Sequence, residues 1–177
     1  MVFNSVQLNI LKSMSIWFKG VNEPNGWMGN MAPYPITYNG KVWLTVEALF
    51  QAMRYNDPLI QEEIRQQKSP TAAKMIATRH RAYYTTFPMS PEDIRNMEAC
   101  VLLKFQQHPK LARLLMATGN HLIYEDATGR NKPNDLFWGA HRDPKNPIMP
   151  INGQNMMGEI LMKVRAILLA NAPKPII

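Results

Sequence analysis

The segment that decides the fold reads Thr45-Val46-Glu47-Ala48-Leu49-Phe50-Gln51-Ala52-Met53-Arg54-Tyr55. Its apolar residues recur at the spacing of an α-helix, and Thr45 is a suitable cap for the first turn. Glu47, Gln51 and Arg54 stand four and then three positions apart, so they share a second face of that helix. By itself this polar stripe favours a solvated helix face. A carboxylate beside a fixed cation could instead do chemistry on a charged substrate.

The composition is that of a folded domain with a hydrophobic core. The 177 residues are 46% hydrophobic and 19% charged, which is typical of soluble globular proteins. We expect an N-terminal segment at residues 1–14, one domain at 15–170 and a C-terminal tail at 171–177. There is no apolar run of about 18 residues, so no membrane association is expected. Residues 1–12 lack the pattern of a signal peptide.

Charge and cysteine content indicate the partner and the compartment. The net charge of +7 favours an anionic partner such as nucleic acid or a phosphorylated small molecule, although solubility alone would also explain it. The single cysteine, Cys100, permits no internal disulfide and agrees with a reducing compartment. We therefore expect a cytoplasmic protein, or a nuclear one if its source has a nucleus. Cys100 lies on a helix predicted to be buried, so an inert core thiol is expected.

Turn and capping signals predict a mainly α fold, a compact single helical domain with a few short β-strands. Asn39-Gly40 predicts a hairpin between positions 34 and 45. After the helix that starts at Thr45, further helices are predicted to begin at three capped prolines, which are Asp57-Pro58, Ser69-Pro70 and Ser90-Pro91. The remaining predicted elements are a strand at 15–19, a helix at 111–116, a strand at 121–125 and a final helix capped by Asn155.

Residues 127–150 are rich in Pro, Asn, Asp and Gly, and an irregular functional segment is predicted there. Inside it, Asp135 stands three residues before Trp138-Gly139. A tryptophan in such a segment either plugs the core or supplies a flat wall for a ligand ring. By itself the segment favours a tryptophan that packs into the core, with Asp135 capping a local turn.

The sequence shows no pattern of a metal or cofactor site. Its four histidines are scattered, and it lacks paired cysteines, a phosphate-binding loop, a dinucleotide fingerprint and a serine elbow. We expect neither a metal nor a cofactor. Arg79-His80-Arg81 followed by Tyr83-Tyr84 combines basic residues with rings that could stack on bases, and a solvated helix end is an equal interpretation.

Seven short motifs occur in a fixed order along the chain. They are Gly40-Lys41-x-Trp43, Glu47-x-x-Phe50-Gln51-Ala52, Ser69-Pro70-x-Ala72-Ala73, Lys104-Phe105-x-Gln107, Leu114-Leu115-x-Ala117-Thr118, Asp135-x-x-Trp138-Gly139 and Gly153-x-Asn155-x-x-Gly158-x-x-Leu161-Met162-x-x-Arg165. Together they resemble the NADAR family, also called YbiA-like, over nearly the whole chain. The sequence departs from the family pattern at Ala48-Leu49, where His-Tyr is common, and at Arg54-Tyr55, where Lys-Phe is common.

The resemblance implies a metal-free N-glycosidase, a hydrolase that acts on N-glycosyl bonds. It implies two substrate classes: ADP-ribose attached to guanine in nucleic acid, and a phosphorylated ribosylamino-pyrimidine intermediate of riboflavin synthesis. The basic charge and the departures favour the first, so the expected activity is the reversal of ADP-ribosylation. A non-catalytic module that binds ADP-ribose is a third possibility. The expected ligand is ADP-ribose or a phosphorylated ribosyl compound, and the oligomeric state is left open.

The resemblance implies roles for Glu47, Asp135, Trp138 and Asn30, and the chemistry of the expected reaction suggests the other candidates. Glu47 and Asp135 are the candidate catalytic carboxylates, with base and orienter unassigned between them. Lys104 is a candidate amine that could trap the ring-opened sugar as an imine, provided that its pKa is lowered; it could equally be a snorkelling helix residue. The expected substrate-binding residues are Asn30, Gln51, Arg54, Arg79, Glu125, Trp138, Gly139 and Asn155. Of these, Arg54 could grip a phosphate or orient Glu47, and Arg79 would help to hold the diphosphate.

Overall fold

A computed structural model describes residues 15–145 and 150–172. In this part of the chain the seven α-helices are α1 (Val46–Ala52), α2 (Pro58–Arg65), α3 (Pro70–Arg79), α4 (Pro91–Gln107), α5 (Pro109–Ala117), α6 (Pro133–Trp138) and α7 (Met156–Ala170). The strands are β1 (Ser15–Phe18), β2 (Ile36–Tyr38), β3 (Lys41–Trp43), β4 (Leu122–Glu125), β5 (His141–Arg142) and β6 (Pro150–Asn152). The predicted fold class, mainly α with a few short strands, is confirmed. Among the described residues no helix has the length and apolar character needed to cross a membrane.

The residues divide into two compact units. The central unit is Gly29–Leu111, and the terminal unit takes its described residues from Met1–Met28 and Ala112–Ile177. The central unit holds the hairpin β2–β3 and helices α1 to α4, whereas the terminal unit holds the other strands with α6 and α7. The boundaries expected at residues 15 and 170 stay a prediction, because residues 1–14 and 173–177 lie outside the described part.

Local signals set the elements of the central unit. Asn39 and Gly40 both have positive φ, 48° and 72°, as a two-residue hairpin turn requires. The turn pairs β2 with β3 in antiparallel register, with Ile36 opposite Trp43. The predicted hairpin is therefore confirmed.

The helix starts of the central unit also follow the sequence. The hydroxyls of Thr45, Ser69 and Ser90 each accept a hydrogen bond from the backbone three residues later. A proline occupies the first position of α2, α3 and α4, where its missing N–H costs nothing. These short-range contacts explain why the four predicted starts coincide with the observed ones.

Helix α1 lies at the centre of its unit, packed against α2, α3 and α4. All seven of its residues are buried, including its polar ones. The same packing leaves one side of α3 in solvent, where Met75 is 67% exposed. Because α1 is surrounded by the other helices of its unit, its polar side chains are buried.

The terminal unit is built around a parallel pair of strands. β1 pairs with β4, and the rings of Trp17 and Tyr124 stack with centroids 4.6 Å apart. Helix α7 packs on β4. Gly158 permits this close approach, because a Cβ there would lie 2.0 Å from the carbonyl oxygen of Ile123.

One prediction for the terminal unit is wrong, and a second is confirmed only in part. The segment predicted to be irregular contains the six-residue helix α6 and strand β5, with residues 146–149 outside the described part. Pro133 explains the helix, because its preset φ favours a first turn. Asn155 occupies the predicted N-cap position of α7, but its side chain bonds to β4 and does not cap the helix.

Candidate active site

The polar stripe of α1 is enclosed by protein. Glu47, Gln51 and Arg54 are 3%, 3% and 5% exposed, respectively. The interpretation as a solvated helix face is therefore wrong. Buried polar and charged groups need hydrogen-bonding partners to offset the loss of water. The three residues bond to one another and to two residues outside the stripe, Asn30 and Asp93.

Both oxygens of the Glu47 carboxylate accept a hydrogen bond from an amide. Asn30 Nδ2 donates to Oε2, and Gln51 Nε2 donates to Oε1 at 2.9 Å. The backbone N–H of Glu47 also donates to the carbonyl of Asn30 at 2.9 Å. The acid is thus held by one residue of its own helix and by one from the preceding segment.

Arg54 is held by a carboxylate on α4. Its Nε and Nη2 donate to the two oxygens of Asp93, both at 2.8 Å, and its Nη1 donates to Gln51 Oε1 at 3.0 Å. Burial acts to lower the pKa of Arg54, but the hydrogen-bonded Asp93 outweighs it and raises that pKa. The guanidinium also lies 4.5 Å from the ring centroid of Phe50. A continuous chain of hydrogen bonds therefore runs from Asp93 through Arg54 and Gln51 to Glu47.

Lys104 is a buried amine on α4. It is 1% exposed, and its Nζ donates to the carbonyl of Gly29 at 2.9 Å. The rings of Tyr34 and Phe105 lie near it, with centroids 5.2 and 5.5 Å from Nζ. The interpretation as a snorkelling residue is wrong, because the head group itself is buried. Burial lowers the pKa of Lys104 to about 7, so a large share of the amine is neutral at physiological pH.

The acid and the amine are anchored on two adjacent residues. Gly29 accepts from Lys104 through its carbonyl, and Asn30 holds Glu47 through its side chain. The chain at this point therefore contacts two of the residues expected to be catalytic. The carboxylate can accept protons, and the amine can act as a nucleophile.

The only cysteine of the chain is a core thiol. Cys100 is fully buried on α4, and its Sγ donates to Met53 Sδ at 3.3 Å. Burial, and to a lesser extent the charge of Glu47, raises the pKa of Cys100. The prediction of an inert thiol agrees with this environment.

We expect native Cys100 to react with iodoacetamide at least about 100-fold more slowly than the unfolded chain, because only an exposed thiolate attacks. Mass spectrometry of samples quenched over time, with and without urea at pH 8, measures both rates. Similar rates in the two samples would contradict the buried thiol.

Glu125 and Asn155 meet in the terminal unit. Asn155 Oδ1 accepts from the backbone N–H of Glu125 at 3.0 Å, and its Nδ2 donates to the carbonyl of Ile123 at 2.8 Å. These bonds to β4 explain why the side chain does not cap α7. The Glu125 carboxylate lies 3.4 Å from Arg130 Nη2.

Asp135, Trp138 and Gly139 belong to α6 and its end. Asp135 is half-buried in the first turn, and its carbonyl accepts from the N–H of Gly139 at 2.9 Å. Trp138 is 8% exposed and meets the ring of Phe137 edge to face. Their roles, like that of Asn155, stay predictions.

Arg79 lies outside the Glu47 network. Its side chain is 68% exposed at the end of α3, and Nη1 lies 3.3 Å from Glu63. The neighbouring Arg81 and Tyr83 are exposed as well. This part of the central unit presents basic and aromatic side chains to solvent.

Asp93 is the site residue that the sequence did not indicate. The motif Ser90-Pro91-Glu92-Asp93 signalled a helix start, and Asp93 does sit in the first turn of α4. Nothing in that motif indicates a partner 39 positions away at Arg54. Within residues 15–145 and 150–172, no three His, Cys, Asp or Glu side chains are grouped so that they could hold a metal ion.

Known proteins share both the sequence and the fold. The N-glycosidase YbiA of Shigella boydii is 31% identical over 158 residues, covering 89% of this chain and 90% of that protein, and YbiA of Escherichia coli matches to the same extent. A riboflavin biosynthesis protein of Vibrio vulnificus is 31% identical over 95% of this chain and 42% of its own length.

The NMR structure of Escherichia coli YbiA is similar to this protein with a TM-score of 0.71. It is 28% identical, and the similarity covers 93% of this chain and 92% of that one. The pattern of the NADAR domain matches residues 17–169. The resemblance seen in the seven motifs is confirmed, as is the expected enzyme class, because the relatives are named N-glycosidases, which are hydrolases of N-glycosyl bonds. The chain belongs to the NADAR domain family.

Proposed function

We propose that this enzyme cleaves the bond between a ribose carbon and the nitrogen of a base, with Glu47 as its principal acid–base residue. The observation that carries the proposal is a buried carboxylate, held through both oxygens by amides, beside a segment that also anchors a buried amine. Cleavage of such a bond develops positive charge on the ribose carbon. A carboxylate can stabilise that charge or activate the attacking water.

Lys104 offers a covalent route through the same site. Ring opening leaves a protonated imine between the ribose carbon and the base nitrogen, and the neutral amine of Lys104 adds to that carbon. One amine proton passes to the base nitrogen, the bond to the base breaks, and the protonated imine to Lys104 forms as the neutral base leaves. Water then adds to this imine, which releases the sugar aldehyde and regenerates the amine. The lowered pKa of Lys104, about 7, supports this route because the nucleophile must be neutral.

Arg54 acts on Glu47 in this proposal and does not grip a phosphate. Its Nε, Nη1 and Nη2 already donate to Asp93 and Gln51. A phosphate bound there would have to displace a buried, bidentate ion pair, at a cost of several kcal/mol of the order measured when such pairs are broken. Arg79, which is exposed, is the better candidate for a contact with the diphosphate.

The substrate that we propose is ADP-ribose linked to guanine in nucleic acid. Two features support a nucleic acid: the net charge of +7 and the exposed Arg79, Arg81 and Tyr83. Cations of this kind attract phosphates and an exposed ring can stack on a base.

One observation favours a second candidate, the phosphorylated ribosylamino-pyrimidine. The relative from Vibrio vulnificus and another from Zea mays are named riboflavin biosynthesis proteins. Both substrates share the ribosyl carbon–nitrogen bond, so the same acid and amine would serve either one.

Incubation with each substrate separates the two candidates. We expect free ADP-ribose to be released from guanine-ADP-ribosylated single-stranded DNA, measured by mass spectrometry, and no turnover of the pyrimidine intermediate. Turnover of the pyrimidine alone would replace the proposed substrate with the second one. Tight binding of ADP-ribose without turnover of either substrate, unchanged in Glu47→Gln, would identify a binding module and contradict the proposed activity.

A further inference from the structure

We propose that Asp93 is a positioning residue that sets the orientation of Glu47 through Arg54 and Gln51. The inference rests on the proposed function, since it assigns a purpose to the chain of hydrogen bonds that ends at the acid. Asp93 is not a catalytic residue in this proposal, because two side chains stand between it and the Glu47 carboxylate.

The donors and acceptors allow only one direction for the chain of hydrogen bonds from Asp93 to Glu47. A guanidinium has N–H donors and no acceptor, so the atom of Gln51 that faces Arg54 Nη1 must be its oxygen. The other end of the Gln51 amide is then the NH2 group, which faces Glu47 and donates to it. If the amide were turned over, an NH2 would face the guanidinium and an oxygen would face the carboxylate. The orientation of Arg54 therefore determines that Glu47 receives a donor.

Asp93 determines the orientation of Arg54. Its two oxygens accept from Nε and Nη2 along one edge of the guanidinium, which directs Nη1 towards Gln51. Asp93 is itself held, because Oδ2 also accepts from the backbone N–H of Met89 at 2.8 Å and the side chain is fully buried. A side chain with these three contacts has one available position.

The backbone around Arg54 is fixed as well. The carbonyl of Arg54 accepts from the N–H of Thr85 at 2.9 Å and from its hydroxyl at 3.1 Å. The ring of Phe50 lies 4.5 Å from the guanidinium carbon and that of Tyr84 lies 5.8 Å from it. Little freedom remains for Arg54 while Asp93 is present.

Stability alone does not account for this ion pair. Taking a carboxylate and a guanidinium out of water costs several kcal/mol for each ion, and apolar residues of the same volume are often at least as stabilising. A geometrical purpose does account for it, because a bidentate pair defines direction more sharply than apolar packing does. Removal of Asp93 would leave Arg54 free to turn, and the Gln51 amide would then lose its defined orientation.

The test uses Asp93→Asn, with Glu62→Gln as the control. Glu62 is a carboxylate of the same unit that pairs with Lys41 and Arg65 near the surface, away from the network. For Asp93→Asn we expect kcat per folded molecule to fall about 10-fold with KM changed less than about twofold, because the substrate contacts remain. The control should keep both constants.

A double-mutant cycle with Gln51→Met distinguishes positioning from a structural role. If Asp93 acts through Gln51, Asp93→Asn should lower kcat by less than twofold in the Gln51→Met background. A loss of about 10-fold in both backgrounds, or an unchanged kcat in the single variant, would overturn the proposal. If Asp93→Asn does not fold, Asp93→Glu replaces it in the double-mutant cycle, and the result is judged by the same changes in kcat.

An NMR measurement needs no substrate, so its result does not depend on the proposed function. The side-chain amide signals of Gln51, assigned with the Gln51→Met variant, should shift and exchange faster with solvent in Asp93→Asn. Unchanged signals would overturn the positioning role. Shifted signals in a protein that turns over neither substrate would support the positioning role while contradicting the proposed function.

Discussion

Glu47→Gln is expected to lower kcat at least about 1000-fold, since the amide can neither accept the proton of an attacking water nor balance positive charge on the ribose carbon. Glutamine has nearly the same shape, so the fold should be retained. The substitution does place an NH2 group against Asn30 Nδ2 or Gln51 Nε2, both of which donate to Glu47 in the native protein. One of these amides must therefore turn, and a loss of stability of about 1–2 kcal/mol is expected.

Steady-state kinetics on the proposed substrate measures this effect, and urea unfolding measures the stability. Glu62→Gln is a suitable control, because it removes a carboxylate of the same unit that lies outside the network. If Glu47→Gln kept more than a tenth of the native kcat, Glu47 would not be the principal acid–base residue. Asp135, the other carboxylate implied by the family resemblance, would then be tested by the same substitution to asparagine.

Lys104→Met should abolish the covalent route and stabilise the protein at the same time. Methionine has nearly the same volume as lysine, so the space that the Lys104 side chain occupies stays filled. Loss of the amine should reduce kcat by about 1000-fold or more if the imine is obligatory. No imine should then be trapped by borohydride, whereas native enzyme treated during turnover should gain the mass of the reduced adduct on the peptide that contains Lys104.

The stability gain depends on pH in a defined direction. The pKa of Lys104 is lowered from an ordinary value of 10.5 to about 7 in the folded protein. Below pH 7 the amine is protonated in both states, and the folded state carries the full cost of the buried charge. Between pH 7 and 10.5 the folded state loses its proton before the unfolded state does, so this cost shrinks as the pH rises.

Lys104→Met removes the buried charge, so it should raise the free energy of unfolding by up to roughly 5 kcal/mol at pH 6, less about 1 kcal/mol for the lost hydrogen bond to Gly29. The gain should decline steadily towards pH 10. Urea unfolding of both proteins at pH 6, 8 and 10 checks the slope. A gain that is the same at all three pH values would contradict the lowered pKa, and retention of native kcat would exclude the imine route.

Much of the fold follows from contacts between near neighbours in the sequence. Thr45, Ser69 and Ser90 each bond to the third residue beyond them, and Asn39-Gly40 needs only its own positive φ values. Such signals can be read without knowing what packs against them. The segment around Asp135 was predicted to be irregular, and this prediction was wrong. Pro133 is also a suitable first residue for a helix.

Only some residues of the candidate site could be predicted from the sequence. The spacing of Glu47, Gln51 and Arg54 placed them on one face of a helix. The family resemblance added Asn30, and the chemistry of the expected reaction added Lys104. Neither source predicted that the face would be buried. Asp93 was missed, because its side chain matters only through a partner on another helix.

By itself the sequence determined which residues form helices and which polar groups share a face, because both depend on local geometry and spacing. Only the tertiary structure decided what those groups can do. Lys104 contacts Gly29, 75 positions away, and Arg54 contacts Asp93, 39 positions away. Burial among residues distant in the sequence lowers the pKa of the amine, and hydrogen bonds to distant partners hold the polar groups of α1 in place. Both effects depend on packing that no short stretch of sequence contains.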